Sequence, residues 1–136
     1  MFRLKFKDVR IESFGLNLAP NEVTSAQLED RLAELYQRLG IPFGTLEKLT
    51  GVQTRRLWHD GFLPSQAATP AAKQALERVS FDSNLIGALM SCSITRDYFE
   101  PATACMIHNA LQLPETAMVT DVGNACLGFM LSLIHI

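Results

Sequence analysis

Two segments interpreted as buried strands, the continuous apolar run Leu85–Ser91 and the segment Ala117–Val122, constrain the fold more than any other feature of the sequence. A strand with one solvated face alternates apolar and polar residues, whereas an unbroken apolar run is typical of a strand buried on both faces in a parallel sheet. Between the two runs, Pro101 is placed to begin a helix that reaches about Leu111, and an apolar segment of helical character follows from Cys126. Strands that alternate with helices predict an α/β fold with a mostly parallel sheet and flanking helices.

The first forty residues predict a strand followed by a helix. Phe2–Phe6 alternates apolar and charged side chains, and the two-residue period continues at Val9–Ile11 after a slip in phase. A helix is expected after Thr24, because Thr24 and Gln27 have the spacing of a capping box. The helix is expected to end at Gly40, a residue that helices favour just past their last turn.

The middle of the chain predicts a further strand and a further helix. Val52–Trp58 is interpreted as a strand and Ser65–Val79 as a helix rich in alanine. Small side chains let a helix lie close to its neighbours, so we expect this helix to be packed rather than peripheral. Pro70 removes a backbone donor and crowds the preceding turn, which predicts either a kink or a helix that begins nearer Thr69.

Composition narrows the classes of protein to which the chain belongs. Its 136 residues predict one domain, and its net charge of −2 argues against nucleic-acid binding. Charged residues make up 19%, below the typical share of about 25%, which suggests that part of the surface is normally covered. No apolar window reaches the roughly 18 residues of a membrane span, so a cytoplasmic protein is expected.

The three cysteines are far apart in sequence and have no CxxC spacing. This pattern argues against a disulfide framework and against a zinc site, so no metal is expected. Cys92 and Cys105 are interpreted as buried small apolar residues.

Asp121–Phe129 is the most informative stretch for function. A strand ends, small residues make a turn, and Cys126 opens an apolar helix. Free N–H groups at a helix start lower the pKa of a thiol and can hold the oxyanion formed when a thiolate attacks a thioester. The residues alone leave a second interpretation open, in which Cys126 is a buried structural cysteine.

Three motifs resemble those of the 3-oxoacyl-ACP synthase III family of the thiolase superfamily. Asp121–Phe129 is similar to the pattern D-x-x-x-A-C-x-G/A-F around the acylated cysteine, Thr50–Arg56 is similar to T-G-I/V-x-x-R-R, and Pro101–Ala104 is similar to P-S-x-A. The resemblance implies the N-terminal half of a layered α-β-α-β-α fold, with residues 1–136 as one truncated thiolase-like domain. It further implies thioester substrates and no cofactor.

Within the family the chain most resembles the OleA-type enzymes, which join two acyl-CoA chains head to head. The shared segments are Arg55–Trp58, Thr95–Pro101 and Asn124–Leu127. The resemblance implies a Claisen condensation in which Cys126 accepts an acyl group. It also implies that Glu100 crosses a homodimer interface and removes the α-proton of the second acyl chain. The alternative within this class is decarboxylative condensation with malonyl-ACP, which has the acyl carrier protein as a partner.

Several of these residues have a simpler interpretation that stays open. Glu100 is equally suited to cap the helix at Pro101. Arg55 and Arg56 are candidates for binding the phosphates of CoA, and also for pairing with acidic side chains. Trp58 and Asn124 are further candidates for substrate binding, although packing is the commoner role of a lone tryptophan.

The chain departs from the family in length. The family's histidine, asparagine and glycine-rich oxyanion loop lie in a second half that has no counterpart here. We therefore expect the chain to be a fragment that does not turn over, and its last residues, from Leu131, to be candidates for sequence foreign to the parent gene. A non-catalytic α/β module in which Cys126 only fills space is the alternative from another class.

Overall fold

The computed structural model describes residues 9–134, which form two compact units. The smaller unit is Leu18–Phe62, and the larger one combines the residues up to Asn17 with those from Leu63 onward. The single domain expected from the sequence stays a prediction. The strand expected at Phe2–Phe6 lies outside the described residues, and its continuation at Val9–Ile11 is wrong because that segment has no regular structure.

The smaller unit is built on an antiparallel pair of strands. Strand β1 (Asn21–Thr24) pairs with β2 (Thr54–Leu57), which confirms the strand expected around Arg55 and Arg56 with shorter bounds. Three helices lie between them in sequence: α1 (Ser25–Arg31), α2 (Ala33–Leu39) and α3 (Thr45–Thr50).

The helix expected after Thr24 is confirmed at its start and divided in its middle. The capping box is complete: Gln27 N–H donates to Thr24 Oγ1 at 3.0 Å, and Thr24 N–H donates to Gln27 Oε1 at 2.9 Å. The dihedral angles of Leu32 (φ −106°, ψ 14°) are not helical, so α1 ends there and α2 begins. Gly40 closes α2 with φ 64°, the left-handed conformation that glycine adopts without strain.

Glu29 is the most buried large side chain of this unit, and it binds the start of α3. The residue is 1% exposed, and its carboxylate accepts N–H groups from Leu46 at 2.7 Å and from Gly44 at 2.6 Å. These two hydrogen bonds lower the pKa of Glu29. Burial, followed by the charge of Glu29, raises the pKa of the neighbouring Tyr36.

Where the structure describes it, the larger unit contains a parallel pair of strands and three α-helices. Their bounds are α4 (Pro64–Glu77), β3 (Ala88–Cys92), α5 (Thr103–Leu111), β4 (Met118–Val122) and α6 (Gly128–Ile134). Strands β3 and β4 run parallel and in register, with α5 as the connecting helix, so the α/β interpretation is confirmed. Within the described residues the strands' side chains are half-buried, or exposed at the first position of each, rather than covered on both faces.

Helix α4 is packed, as its small side chains predict. It runs without interruption from Pro64 through Pro70, so the expected later start is wrong. A Cβ added to Gly15 would lie 1.7 Å from Ala71 O, and Asn17 Nδ2 donates to Ala67 O at 3.0 Å. The segment before residue 18 therefore lies directly on the backbone of α4.

Candidate active site

Cys126 lies at the junction between a strand and a helix, as the sequence predicts. Strand β4 ends at Val122, Gly123 and Asn124 follow, and a 3₁₀ turn spans Ala125–Leu127 before α6 begins. Cys126 is exposed in the described chain, and it precedes α6 instead of being its first residue. The other two cysteines are less uniform than expected: Cys92 is half-buried, but Cys105 is exposed, so its predicted burial is wrong.

The turn that carries Cys126 holds its backbone in an unusual conformation. Ala125 has φ 41°, in the left-handed region that a residue with a Cβ rarely adopts. The turn is closed by hydrogen bonds from Leu127 N–H to Asn124 O at 2.8 Å and from Gly128 N–H to Ala125 O. Neither bond uses the N–H of Cys126. Strained conformations of this kind persist where the surrounding structure fixes them, and they occur often at active sites.

Gly128 brings the turn close to the sheet. It is buried, and a Cβ added there would lie 3.2 Å from Val122 O and 3.9 Å from the Cβ of Cys92. Val122 and Cys92 are paired at the carboxyl ends of β4 and β3. The start of α6 and the turn before it are therefore held at the carboxyl edge of the parallel strands, where α/β proteins bind their ligands.

Asp121 caps the helix that follows Glu100. Its two carboxylate oxygens accept the N–H groups of Thr103 and Ala104, each at 2.8 Å. Helix α5 begins at Thr103, so the start expected at Pro101 is wrong. The interpretation of Glu100 as the helix cap is also wrong, because the N–H groups at the start of α5 are bound by Asp121.

Glu100 is exposed and belongs to the loop between β3 and α5. The same loop forms the wall of a surface cleft of about 540 Å³ lined by Ile94, Arg96, Asp97, Tyr98 and Phe99. Glu100 and Cys126 are parts of the same compact unit. Glu100 is therefore accessible at its surface, with no role in closing a helix.

The two arginines expected to bind substrate lie in the smaller unit. Arg56 Nη2 pairs with Glu22 at 3.2 Å and Arg56 Nη1 donates to Ala19 O at 3.3 Å, which confirms the pairing with an acidic residue. Arg55 Nη1 instead donates to the Ser25 hydroxyl at 3.1 Å. Binding of substrate by either arginine stays a prediction.

Trp58 and Asn124 have structural contacts of their own. The Trp58 ring stacks on Phe62 with centroids 4.1 Å apart and planes 8° apart, which is the packing role considered above. Asn124 is exposed, and its backbone oxygen begins the turn that carries Cys126.

Two further findings concern residues 9–134 alone. Within that range, no three His, Cys, Asp or Glu side chains are grouped in a way that would hold a metal ion. None of the helices in the same range is both long and apolar enough to cross a bilayer.

No family model matches the chain, but individual proteins and structures do. It is 41% identical over 133 residues to the acyl-CoA:acyl-CoA alkyltransferase of Shewanella oneidensis, covering 98% of this chain and 38% of that protein. The cerulenin-bound structure of Xanthomonas campestris OleA is 37% identical with a TM-score of 0.86, covering 96% of this chain and 38% of that one. A 3-oxoacyl-(acyl carrier protein) synthase III of Xanthomonas oryzae is 36% identical with a TM-score of 0.82, covering 92% and 37%.

The chain has a thiolase-like fold, which confirms the predicted fold class. In sequence and in fold it is similar to OleA-type acyl-CoA:acyl-CoA alkyltransferases and to 3-oxoacyl-ACP synthase III proteins, which confirms the resemblance. The chain spans 38% of the length of the alkyltransferase that it matches.

Sequence reasoning missed the residues that connect the elements of this site. Asp97, Thr103 and Asp121 all lie within the motifs, but their hydrogen bonds join positions that are 6 and 18 residues apart. An aspartate and a threonine near a proline indicate a cap, but they do not say which helix start is capped. The partner of each cap is fixed only by the fold.

Proposed function

We propose that the full-length protein containing this chain is an acyltransferase that forms a β-keto product by Claisen condensation. In the first stage, the thiolate of Cys126 attacks the carbonyl of an acyl-CoA. A thioester to Cys126 forms as the bond to CoA breaks, and CoA leaves as its thiolate. The N–H of Cys126, which the turn does not use, is a candidate donor to the oxyanion of this step.

In the second stage, Glu100 acts as the base. Its carboxylate takes a proton from the α-carbon of a second acyl-CoA, and the resulting carbanion attacks the acyl group on Cys126. A carbon–carbon bond forms, the thioester to Cys126 breaks, and the thiolate is restored. The products are a β-ketoacyl-CoA and a free enzyme.

One observation carries the proposal: an exposed Cys126 in a strained turn at the carboxyl edge of a parallel strand pair. A cysteine that only fills space has no need of a left-handed residue before it or of a close glycine contact after it. A nucleophile has this need, because the turn presents its sulfur to a substrate while leaving the adjacent N–H free.

The likeness to an acyl-CoA:acyl-CoA alkyltransferase supports acyl-CoA as both substrates. The likeness to a 3-oxoacyl-(acyl carrier protein) synthase III supports the alternative, decarboxylative condensation with malonyl-ACP. We further propose a cytoplasmic homodimer that uses thioester substrates and no cofactor. The higher identity to the alkyltransferase favours head-to-head condensation.

Acyl transfer is tested on the full-length protein with a radiolabelled long-chain acyl-CoA. We expect label on the wild-type protein, none on Cys126→Ser, and undiminished label on Cys105→Ser, which replaces a second exposed cysteine. Absence of label from the wild type, or label that survives Cys126→Ser, would contradict the first stage and favour a non-catalytic module. Product analysis with acyl-CoA alone, against acyl-CoA with malonyl-ACP, then separates the two condensations.

A further inference from the structure

One hydrogen bond joins the two ends of the loop that carries Glu100. Asp97 N–H donates to Thr103 Oγ1 at 3.0 Å, which brings together two residues six positions apart. Tyr98, Phe99 and Glu100 lie between them and are exposed, with Phe99 at 93%. The result is a short projecting loop with a closed base.

Each side of the base is held by a different element. Thr103 is 1% exposed, and its own N–H donates to Asp121 of β4 at 2.8 Å. The carboxylate of Asp97 accepts Ser65 N–H from the first turn of α4 at 2.9 Å. The base is therefore fixed to a strand on one side and to a helix on the other.

The hydrogen bond from Asp97 N–H to the Thr103 hydroxyl joins these two sides. Without it, Asp97 stays bound to α4 and Thr103 stays at the start of α5, and their separation is set only indirectly, by the packing of α4 on α5. The backbone dihedral angles of the intervening residues then gain freedom, and the position of Glu100 spreads over a larger volume. Misplacement of a reacting group by about 1 Å costs on the order of 100-fold in rate.

We propose that Thr103 is a positioning residue for the condensation stage, which it serves by closing the loop that presents Glu100. The inference rests on the proposed function, because it assigns Glu100 as the base. It concerns the second stage alone, since Cys126 lies in a different turn, after β4.

The test compares Thr103→Val with Thr103→Ser in the full-length protein. Valine keeps the shape and removes the acceptor, whereas serine keeps the hydroxyl. Cys126 is first acylated with labelled acyl-CoA, and the decay of the acyl-enzyme on adding a second acyl-CoA is then followed in a single turnover. We expect full acylation in both variants, a condensation rate reduced about 10- to 100-fold in Thr103→Val, and one within about threefold of wild type in Thr103→Ser.

A double variant distinguishes positioning from general destabilisation. Glu100→Gln alone should slow condensation, and Thr103→Val should add little to it, because Thr103 acts through Glu100. Since only acylated molecules are counted, a partly folded preparation does not change the measured rate. A Thr103→Val variant too unstable to acylate is replaced by Thr103→Ala, which removes the same acceptor and keeps the Asp97 carboxylate bound to α4.

The outcomes separate the two claims. Failure of wild-type Cys126 to acylate overturns the proposed function itself. If acylation proceeds and Glu100→Gln slows condensation while Thr103→Val does not, the positioning role is wrong. The positioning role is also wrong if Thr103→Val lowers the acylation rate as much as the condensation rate. It is wrong as well if the rate reductions of Thr103→Val and Glu100→Gln multiply in the double variant. If Glu100→Gln leaves the condensation rate unchanged, Glu100 is not the base and Thr103 has no positioning role.

Discussion

At the scale of single residues, the carboxylates that organise the described chain bind backbone N–H groups at helix starts. Glu29 does so at α3, Asp97 at α4 and Asp121 at α5. Each carboxylate satisfies at least one donor that the helix itself leaves unpaired, and the negative charge is favoured at that end of the helix dipole. These caps set where the helices begin, and through them where the loops with functional residues are held.

The cap at α3 makes stability depend on pH. Hydrogen bonds from Leu46 and Gly44 lower the pKa of Glu29 below 4.5, its ordinary value. The carboxylate therefore contributes stability that is fully present above that value and is lost as the pH falls through the lowered pKa. We expect Glu29→Gln to lower the free energy of unfolding at pH 7 and to differ progressively less from wild type as the pH falls below 4.5.

Urea unfolding at a series of pH values measures this effect. Glu115→Gln is the control, because Glu115 is an exposed carboxylate in the turn between α5 and β4 and is not at a helix start. The control should follow the wild type at every pH. A gap between Glu29→Gln and wild type that stays constant from neutral to acidic pH would show that the carboxylate's charge does not contribute.

At the scale of elements, two glycines permit close contacts: a Cβ at Gly15 has no room at all, and a Cβ at Gly128 would be tight. Gly15 lets the segment before residue 18 lie on α4, and Gly128 lets the start of α6 lie against β3 and β4. Neither requires a positive φ, so the constraint comes from space and not from backbone conformation. Close approach of this kind is what the alanine-rich sequence of α4 predicts.

Gly15→Ala tests the contact with α4. Its new Cβ would lie 1.7 Å from Ala71 O, a backbone atom, so the segment or the helix must move. We expect a loss of about 3 kcal/mol in the free energy of unfolding, as for an overpacked core. Gly87→Ala is the control, since its Cβ meets nothing within 4 Å, and it should change stability by less than about 0.5 kcal/mol. Equal effects of the two substitutions in urea unfolding would refute the close approach.

At the scale of the whole molecule, the sequence predicts the two parallel strands better than the helix boundaries, whereas it misses β1 and places a strand wrongly at Val9–Ile11. The segments that become β3 and β4 indicate strands from their own residues, without reference to their neighbours. The break at Leu32 and the start of α5 at Thr103 escape prediction, because each is decided by contacts made elsewhere in the fold. The exposure of Cys105 escapes it too, since cysteine's frequent burial is a tendency and not a rule.

The candidate site, too, could be predicted from the sequence only in part. The motifs around Cys126 predict its position after a strand, which local sequence decides. The hydrogen bonds of Asp97, Thr103 and Asp121 depend on which elements are neighbours, and one sequence does not contain that information. The exposed apolar side chains beside Glu100, above all Phe99, have no local explanation either, and they support the proposed homodimer.

Mixed dimers test whether Glu100 serves the partner's site. Differently tagged Cys126→Ser and Glu100→Gln subunits are coexpressed, and dimers carrying both tags are isolated. If Glu100 crosses the interface, one of the two sites combines an intact Cys126 with an intact Glu100, and about half of the wild-type condensation rate should return. If Glu100 acts within its own subunit, neither site is complete and no activity returns. The parent variants, each assayed alone, set the background against which recovery is measured.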